Sequence, residues 1–508
     1  MKKIINILIV LFFFTISSCD KWLEVTPKGQ VEANDLLKTS DGYRSALSGI
    51  YYKLIQKDLF GEDLAYGFID AISQYWDISY NSHLLMPVSK FDYKHNYSIS
   101  KINNFWKKFY EAIAQCNQII EALEDSSPND IKDYNIIKGE VYGLRAFIHL
   151  QLYTLFAPMT LSKTDLTQRA IEYRTKYNVV AGKFNTCAEF LVKIKEDLKT
   201  SKELLADDPI KVNGRTGNGN ISALDYRDVL DRRGSRFNYY ATLGLLAKVE
   251  LLSFEKTEAL KYIKQFFTEV EANIINTNSI FHLVTKDEIA GDVESFRDIK
   301  FSSEMIFSLY IKDLDVYAGQ IFAYKDYDIS TKTYLKVDYE NLKDFLYGSA
   351  PDGSGDDYRL NYWFGLTEGY SRNWYRLTSY KKAIDFGGSS LAHYPEIPML
   401  DIAEMYYMAC EASLGSNNEE ALKYLNKVRE SRGLQALTGI TDELTLTNLL
   451  VKEQRKNYIG RGKMFSIYKR LNKKIDVEPG VSVEPSKSIY VFPIPENEYE
   501  FSPNDKPE

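Results

Sequence analysis

Apolar residues that recur every three or four positions constrain this chain more than any other feature. Ile102, Phe105, Trp106, Phe109, Ile113, Cys116, Ile119, Ile120 and Leu123 fall on one helical face, and Pro128 interrupts the pattern in a Ser-Ser-Pro-Asn break. Val141, Leu144, Ile148, Leu152 and Leu155 repeat it until Pro158, which has no amide hydrogen to continue a helical ladder. The spacing predicts an antiparallel helix pair. Further helical stretches are expected over Asp35 to Gln56, Thr186 to Leu205, Asn238 to Val270, Ile397 to Leu414, Asn418 to Ser431 and Leu449 to Leu471. The expected fold class is therefore mostly α.

An internal repeat narrows the architecture. Glu-Ala-Leu-Lys-Tyr occurs at 258–262 and again at 420–424, an offset of 162. At the same offset Leu246 aligns with Met408, Ala247 with Ala409, Ile263 with Leu425 and Phe266 with Val428. In each copy one alanine (247, 409) precedes another (259, 421) by twelve positions. This resembles tetratricopeptide spacing, in which small residues let two helices approach and larger ones pack on the next pair. Copies this far apart do not make a regular solenoid, so helix pairs within a larger body are expected.

The amino terminus reads as an export signal. Lys2 and Lys3 precede the uncharged stretch Ile4 to Ile16, whose thirteen residues fall short of the roughly 20 that cross a bilayer. Ile16-Ser17-Ser18-Cys19 resembles the relaxed lipobox of lipoproteins from Bacteroidetes-type bacteria. The expectation is cleavage after residue 18, acylation of Cys19 and a lipid-anchored mature chain, 19–508. Removing residues 1–18 takes two lysines from a net charge of −7 and leaves −9. No dense basic run stands out, so a nucleic-acid partner is not expected. Cys116, Cys187 and Cys410 are odd in number and widely spaced, against a disulfide framework or a zinc site. Cys116 and Cys410 lie on apolar stripes and are expected to be buried.

Catalytic signatures are sparse. His83, His95, His149, His282 and His393 show no metal-ligand spacing, and His149, among apolar residues, reads as packed. Asp352-Gly-Ser-Gly-Asp-Asp alternates oxygen ligands, yet Asp357 and Trp363 stand where an EF-hand needs glycine and glutamate. That leaves only a calcium site of another kind open. An acid-to-Arg359 contact is the favoured role for that run. Walker and dinucleotide motifs are absent from the sequence, and no cofactor or metal is expected.

Ordered landmarks then bring a family into view. Cys19-Asp-Lys-Trp-Leu-Glu-Val-Thr-Pro-Lys-Gly, Asp41-Gly-Tyr-Arg-Ser-Ala-Leu-Ser-Gly-Ile-Tyr-Tyr, Phe105-Trp-Lys-Lys-Phe-Tyr and Cys116-Asn-Gln-Ile-Ile come first. Gly143-Leu-Arg-Ala-Phe-Ile-His-Leu-Gln-Leu-Tyr, Glu404-Met-Tyr-Tyr-Met-Ala-Cys-Glu-Ala, Leu425-Asn-Lys-Val-Arg-Glu-Ser-Arg-Gly, Glu453-Gln-Arg-Lys and Phe492-Pro-Ile-Pro-Glu follow. The set resembles the SusD/RagB family of outer-membrane nutrient-binding lipoproteins. Where the family pattern reads Glu-Gly-His-Arg followed by Asp-Leu, this chain has Arg461-Gly-Lys-Met and Ile467-Tyr-Lys-Arg, the mark of a divergent branch.

The resemblance implies one domain of tetratricopeptide-like helix pairs, about 19–60, 101–270 and 397–471, carrying a loop-rich ligand face, about 61–100 and 271–395. It implies capture of a glycan, or second a peptide, for a SusC-like TonB-dependent transporter, without catalysis. Trp22 to Gln30, beside the tether, would be transporter contacts. A surface hydrolase acting on glycan or peptide, and a helical-repeat scaffold for protein assembly, are the alternatives from other classes. Aromatic residues make up 14% of the chain and crowd both loop-rich regions. The expected ligand residues are Trp76 and Trp374 first, then Tyr75, Tyr80, Asn81, Trp363 and Tyr375, whose rings can stack on sugar faces while amides and hydroxyls orient the ligand.

Overall fold

The computed structural model describes residues 33–79, 82–216, 224–275, 278–294, 297–324, 333–348, 354–367, 374–381 and 395–500. Cys19, the stretch Trp22 to Gln30, Tyr80, Asn81 and His393 lie outside the described residues, as do Asp352 and Gly353 of the calcium-like string.

Ten helices carry the scaffold. They are α1 (Ser40–Leu54), α2 (Asn96–Glu124), α3 (Tyr134–Phe156), α4 (Cys187–Leu204), α5 (Tyr239–Leu252), α6 (Lys256–Ala272), α7 (Ile402–Ser413), α8 (Asn418–Ser431), α9 (Glu443–Tyr458) and α10 (Met464–Arg470). Each packs on the next in chain order, so the ten form one continuous stack. On α2 the stripe from Ile102 to Leu123 is buried as the spacing predicts, and α3 buries its matching stripe beside it. Gly143 is what lets α3 come close: a Cβ there would lie 2.0 Å from the Phe237 ring. The buried Arg145 fork then ties α3 to α4, with Nε and Nη2 each donating to an Asp197 oxygen at 2.7 Å.

The repeat pairs are α5–α6 and α7–α8. Ala247, Ala259, Ala409 and Ala421 are fully buried, as are Ile263, Phe266, Leu425 and Val428. Although the two copies lie 162 positions apart in sequence, α6 packs directly on α7, with the Phe267 and Tyr406 rings 4.5 Å apart. The stack thus runs through both copies, and residues 273–401 leave it and return.

Two helical expectations need correction. Residues 397–401 are not helix: Glu396–Asp401 is a strand, β5, antiparallel to β1 (Met305–Tyr310). All of β1 is buried, and Pro398 in β5 cannot donate a helical hydrogen bond. Helix α7 starts only after Asp401, whose Oδ1 accepts from the Glu404 amide at 2.7 Å. The stretch expected as a helix over Leu449 to Leu471 breaks between α9 and α10. Gly460 and Gly462 adopt φ of 77° and 66° and donate their amides to buried Asp70 at 2.5 and 3.1 Å. Likewise Ser253 to Glu255 divide the run Asn238 to Val270 into the pair α5–α6.

The 273–401 excursion carries a three-stranded antiparallel sheet in the order β2 (Val337–Asp338), β4 (Trp374–Leu377), β3 (Phe364–Thr367). A C-terminal hairpin, β6 (Ile475–Glu478) and β7 (Val481–Val483), follows α10. Phe492 closes the structure: its amide donates to Leu155 O at 3.0 Å and its ring stacks on Phe465 at 5.2 Å. Part of the expected ligand face is instead core, since Tyr66, Phe68, Ile69 and Asp70 are buried. Among the described residues no helix is long and apolar enough to cross a membrane.

Candidate functional site

A cleft with about 380 Å³ of free volume opens where four stretches of chain meet. Residues 74–79 supply Tyr75, Trp76 and Asp77; the excursion supplies Asp338, Asn341, Phe345 and Trp374; α9 supplies Arg455; and β6 supplies Val477 and Glu478. Gln74 sets the first edge. It turns the chain at φ 58°, a left-handed conformation unusual for a side chain of this size, and its amide donates to Ser89 O at 2.7 Å. Tyr75 then turns inward, its hydroxyl donating to Arg455 O at 2.7 Å, and Trp76 packs on Phe322 at 5.2 Å. The Asp77 amide donates to Lys336 O at 2.8 Å, which fixes this edge against β2.

Strand alternation positions the second edge. Trp374 lies directly opposite Asp338 in the β2–β4 pairing, so both side chains project to the same face. The Lys336 ammonium sits 3.4 Å from the Trp374 ring centroid and covers one face of the indole. The Arg455 guanidinium lies over the Tyr75 and Phe345 rings at 5.6 and 5.2 Å, and its Nη2 donates to Gln74 O at 3.2 Å. Two buried donors of this lining, Trp76 Nε1 and Arg455 Nε, have no hydrogen-bond partner among the described residues. Buried polar groups are rarely left in that condition, which makes these donors places where an acceptor oxygen would be stabilised.

Of the residues singled out in the sequence, Tyr75, Trp76 and Trp374 meet at this cleft although some three hundred positions separate them. Tyr375 does not join them. The next residue along β4 faces the other way, and its ring stacks on Tyr339 at 5.3 Å. Trp363 is also elsewhere: it is 1% exposed, 5.0 Å from the Phe301 ring and beneath the Arg461 guanidinium at 4.9 Å. It is a core anchor for β3.

Arg455, Asn341, Phe345 and the β6 residues escaped sequence reasoning. Arg455 stands inside the Glu453-Gln-Arg-Lys landmark, where it reads as scaffold, and nothing in a short polar hairpin announces a cleft wall.

Other candidate chemistry resolves into structure. Arg359 grips Asp357 through Nε and Nη2 at 2.9 and 2.7 Å, the acid-to-arginine contact expected of that run. His149 is buried, with Nδ1 2.9 Å from Arg145 O and Nε2 accepting from the Arg174 amide at 3.0 Å. Burial holds it well below the ordinary histidine range, hence neutral. Cys116, Cys187 and Cys410 are buried thiols, and burial pushes Cys116 and Cys410 up to about 12. Two cavities of about 40 and 60 Å³ flank Thr154, Lys248, Lys463 and Ser466. They hold at most a few waters and are too small for a sugar ring. Among the described residues no group of histidine, cysteine and carboxylate side chains is placed to hold a metal ion.

Comparison with known proteins converges on one kind. A SusD-like family model, described as starch-binding and associating with the outer membrane, matches residues 63–217. A SusD-like protein, P38, of Formosa agariphila is 26% identical over 178 residues, a stretch that covers 33% of this chain and only a third, 33%, of that relative. Among solved structures, a SusD superfamily protein from Bacteroides thetaiotaomicron superposes with a TM-score of 0.66 at 20% identity, over 92% of this chain and 98% of that one. A SusD-like carbohydrate binding protein from Bacteroides vulgatus superposes with a TM-score of 0.65 at 16% identity, over the same shares. At these identities the structural likeness establishes the fold.

Proposed function

This chain belongs to the SusD/RagB-like superfamily, and from that premise we propose that it is a lipid-anchored outer-membrane protein that captures a nutrient at the cell surface and delivers it to a TonB-dependent transporter. The ligand is an oligosaccharide first and a peptide second. It lies in the cleft between Trp76 and Trp374, bound but not transformed. The observation that carries this reading is the meeting of Tyr75, Trp76 and Trp374 beside Trp76 Nε1 and Arg455 Nε, donors without a partner among the described residues. Flat indole faces take the apolar faces of sugar rings, and the donors and carboxylates fix the hydroxyls around them.

The mature chain, 19–508, forms a single domain, and Cys19 carries the acyl chains that hold it to the membrane. Tyr80 and Asn81, a few positions beyond Trp76 in sequence, are further proposed ligand residues. The transporter rests against the tethered start, Trp22 to Gln30, and closure of the pair encloses the ligand.

The deciding experiment measures carbohydrate affinity of Trp374→Ala alongside its melting temperature. Trp374 is partly exposed and stands at the end of a short sheet, so the variant keeps its Tm. Its affinity falls by about 1 to 3 kcal/mol, the range for an aromatic anchor. Unchanged affinity in the folded variant would remove the cleft from consideration. Purified protein incubated with the same glycans should release no products over hours; steady product formation would favour the hydrolase reading instead.

A further inference from the structure

The charges around the cleft are unevenly placed. Among the described residues its lining holds three carboxylates, Asp77, Asp338 and Glu478, and one cation, Arg455. Lys336, over one face of Trp374, is a second cation close by. The two cations are the buried members, at 8% and 7% exposure, whereas Glu478 is exposed and Asp77 and Asp338 are partly so. Arg455 is further screened between the Tyr75 and Phe345 rings. An incoming ligand therefore meets carboxylates that are more exposed than the two cations, together with the exposed donors of Ser79 and Asn341, while Trp76 Nε1 and Arg455 Nε are buried.

We infer that this cleft selects by charge: it takes a neutral or amine-bearing oligosaccharide and excludes acidic glycans such as uronates and sulfated polysaccharides. The inference rests on the reading of the cleft as the ligand site and gives that site its substrate class. A ring hydroxyl suits both ends of the arrangement, since its oxygen accepts from the indole or the guanidinium while its hydrogen donates to a carboxylate. An amino group adds a charge-assisted bond to Asp77, Asp338 or Glu478. A ligand carboxylate or sulfate has only acceptors. Against these carboxylates it would be desolvated beside like charges, and aromatic walls lower the local dielectric so that the repulsion is felt more strongly than in water. The buried Arg455 and Lys336 charges, two against three carboxylates, offset this only in part.

The test is binding of the purified mature chain to immobilised polysaccharides presented in matched pairs. Each acidic member, polygalacturonate or a sulfated galactan, stands beside its carboxyl-reduced or desulfated counterpart, with a neutral glucan and a glucosamine oligomer included. Binding is expected on neutral or amine-bearing members. Within the pair that binds, the uncharged partner should be favoured by about tenfold at low salt, with the gap narrowing as salt rises. Asp77→Asn with Glu478→Gln should shrink that ratio several-fold, whereas Glu419→Gln, exposed on α8 and outside the cleft lining, should leave it unchanged. Preference for an acidic member that Trp374→Ala abolishes would overturn the charge selection while leaving the cleft as the site. Binding that Trp374→Ala leaves intact, or no binding to any member, would overturn the site reading itself.

Discussion

Arg359 reaches Glu453 across ninety-four positions of sequence, its Nη2 lying 3.0 Å from Oε2 in a fully buried setting. The other Glu453 oxygen accepts from Arg429 at 2.6 Å and from Lys456 at 3.1 Å, while Arg359 also holds Asp357. One carboxylate on α9 thus joins α8, the excursion and α9 itself. Two residues further along the same helix, Arg455 reaches the cleft. The ion-pair network that holds the scaffold and the wall of the site are therefore neighbours on one element.

Replacing Glu453 with glutamine leaves Arg359, Arg429 and Lys456 buried without their shared counterion. Breaking a buried pair on one side costs about 3–5 kcal/mol, much more than an intact pair contributes. Chemical denaturation of Glu453→Gln should show a loss in that range. A loss below about 1 kcal/mol would mean that water reaches the network.

The same carboxylate predicts behaviour in acid. Burial alone would raise Glu453, but Lys456, Arg359 and Arg429 hold it down to about 2, and Glu404, buried between Lys248 and Lys463, is likewise held down to about 2. Both folded values lie below the usual carboxylate range. Their contribution is fully present above about pH 4.5 and is lost as pH falls towards 2, on the order of a few kcal/mol together. A stability profile from pH 6 to pH 2 should decline over that window. In Glu453→Gln the decline should be shallower, because one of the two groups no longer titrates.

Gly143 makes a sharper packing prediction. The ring atoms of Phe237 that a Cβ would strike belong to a fully buried side chain with no room to swing away. Gly143→Ala should therefore destabilise by about 1–3 kcal/mol despite adding only a methyl group and despite alanine's better helix propensity. A gain in Tm would show that α3 and the 237 region can separate.

The scaffold was legible because helices announce themselves through spacing. The α2 stripe, the α5–α6 and α7–α8 repeat and the Asp357–Arg359 contact follow from residues a few positions apart. The strand at Glu396–Asp401 was hidden, because a strand buried on both faces has no polar alternation to separate it from the first turn of an apolar helix. The cleft was half legible. Tyr75, Trp76 and Trp374 drew notice as aromatic residues in regions without helical period, yet Tyr375 and Trp363 have the same signature. What separates them is strand register and burial, which are properties of pairing across the sheet. Arg455 and Glu478 carry no local signal and reach the cleft only through the packing of α9 and the C-terminal hairpin.

Anchoring is testable without reference to the described residues. On the proposed acylation of Cys19, Cys19→Ala should yield a chain that fractionates with soluble protein. The comparison is made in cells lacking the partner transporter and after a high-salt wash. Retention of the variant in the membrane pellet under those conditions would refute the lipid anchor.

Two tryptophans of the excursion should separate stability from binding. Trp363 is buried against Phe301 with Arg461 across its face, so Trp363→Ala empties a large volume in a packed wall. The cost should be about 3–5 kcal/mol, visible as a lowered Tm. Because Trp363 does not line the cleft, the fraction that remains folded should bind carbohydrate with unchanged affinity. Trp374→Ala should do the reverse. Its ring is partly exposed, shares a face with Asp338 and carries Lys336 on one side, so truncation removes the proposed ligand platform and leaves the sheet standing. Measuring Tm and affinity for both variants separates the two roles, and the decisive pattern is a crossing. If Trp363→Ala weakened binding in the folded fraction while Trp374→Ala lowered only Tm, the ligand would sit on the opposite side of β4, towards Tyr375 and Tyr339.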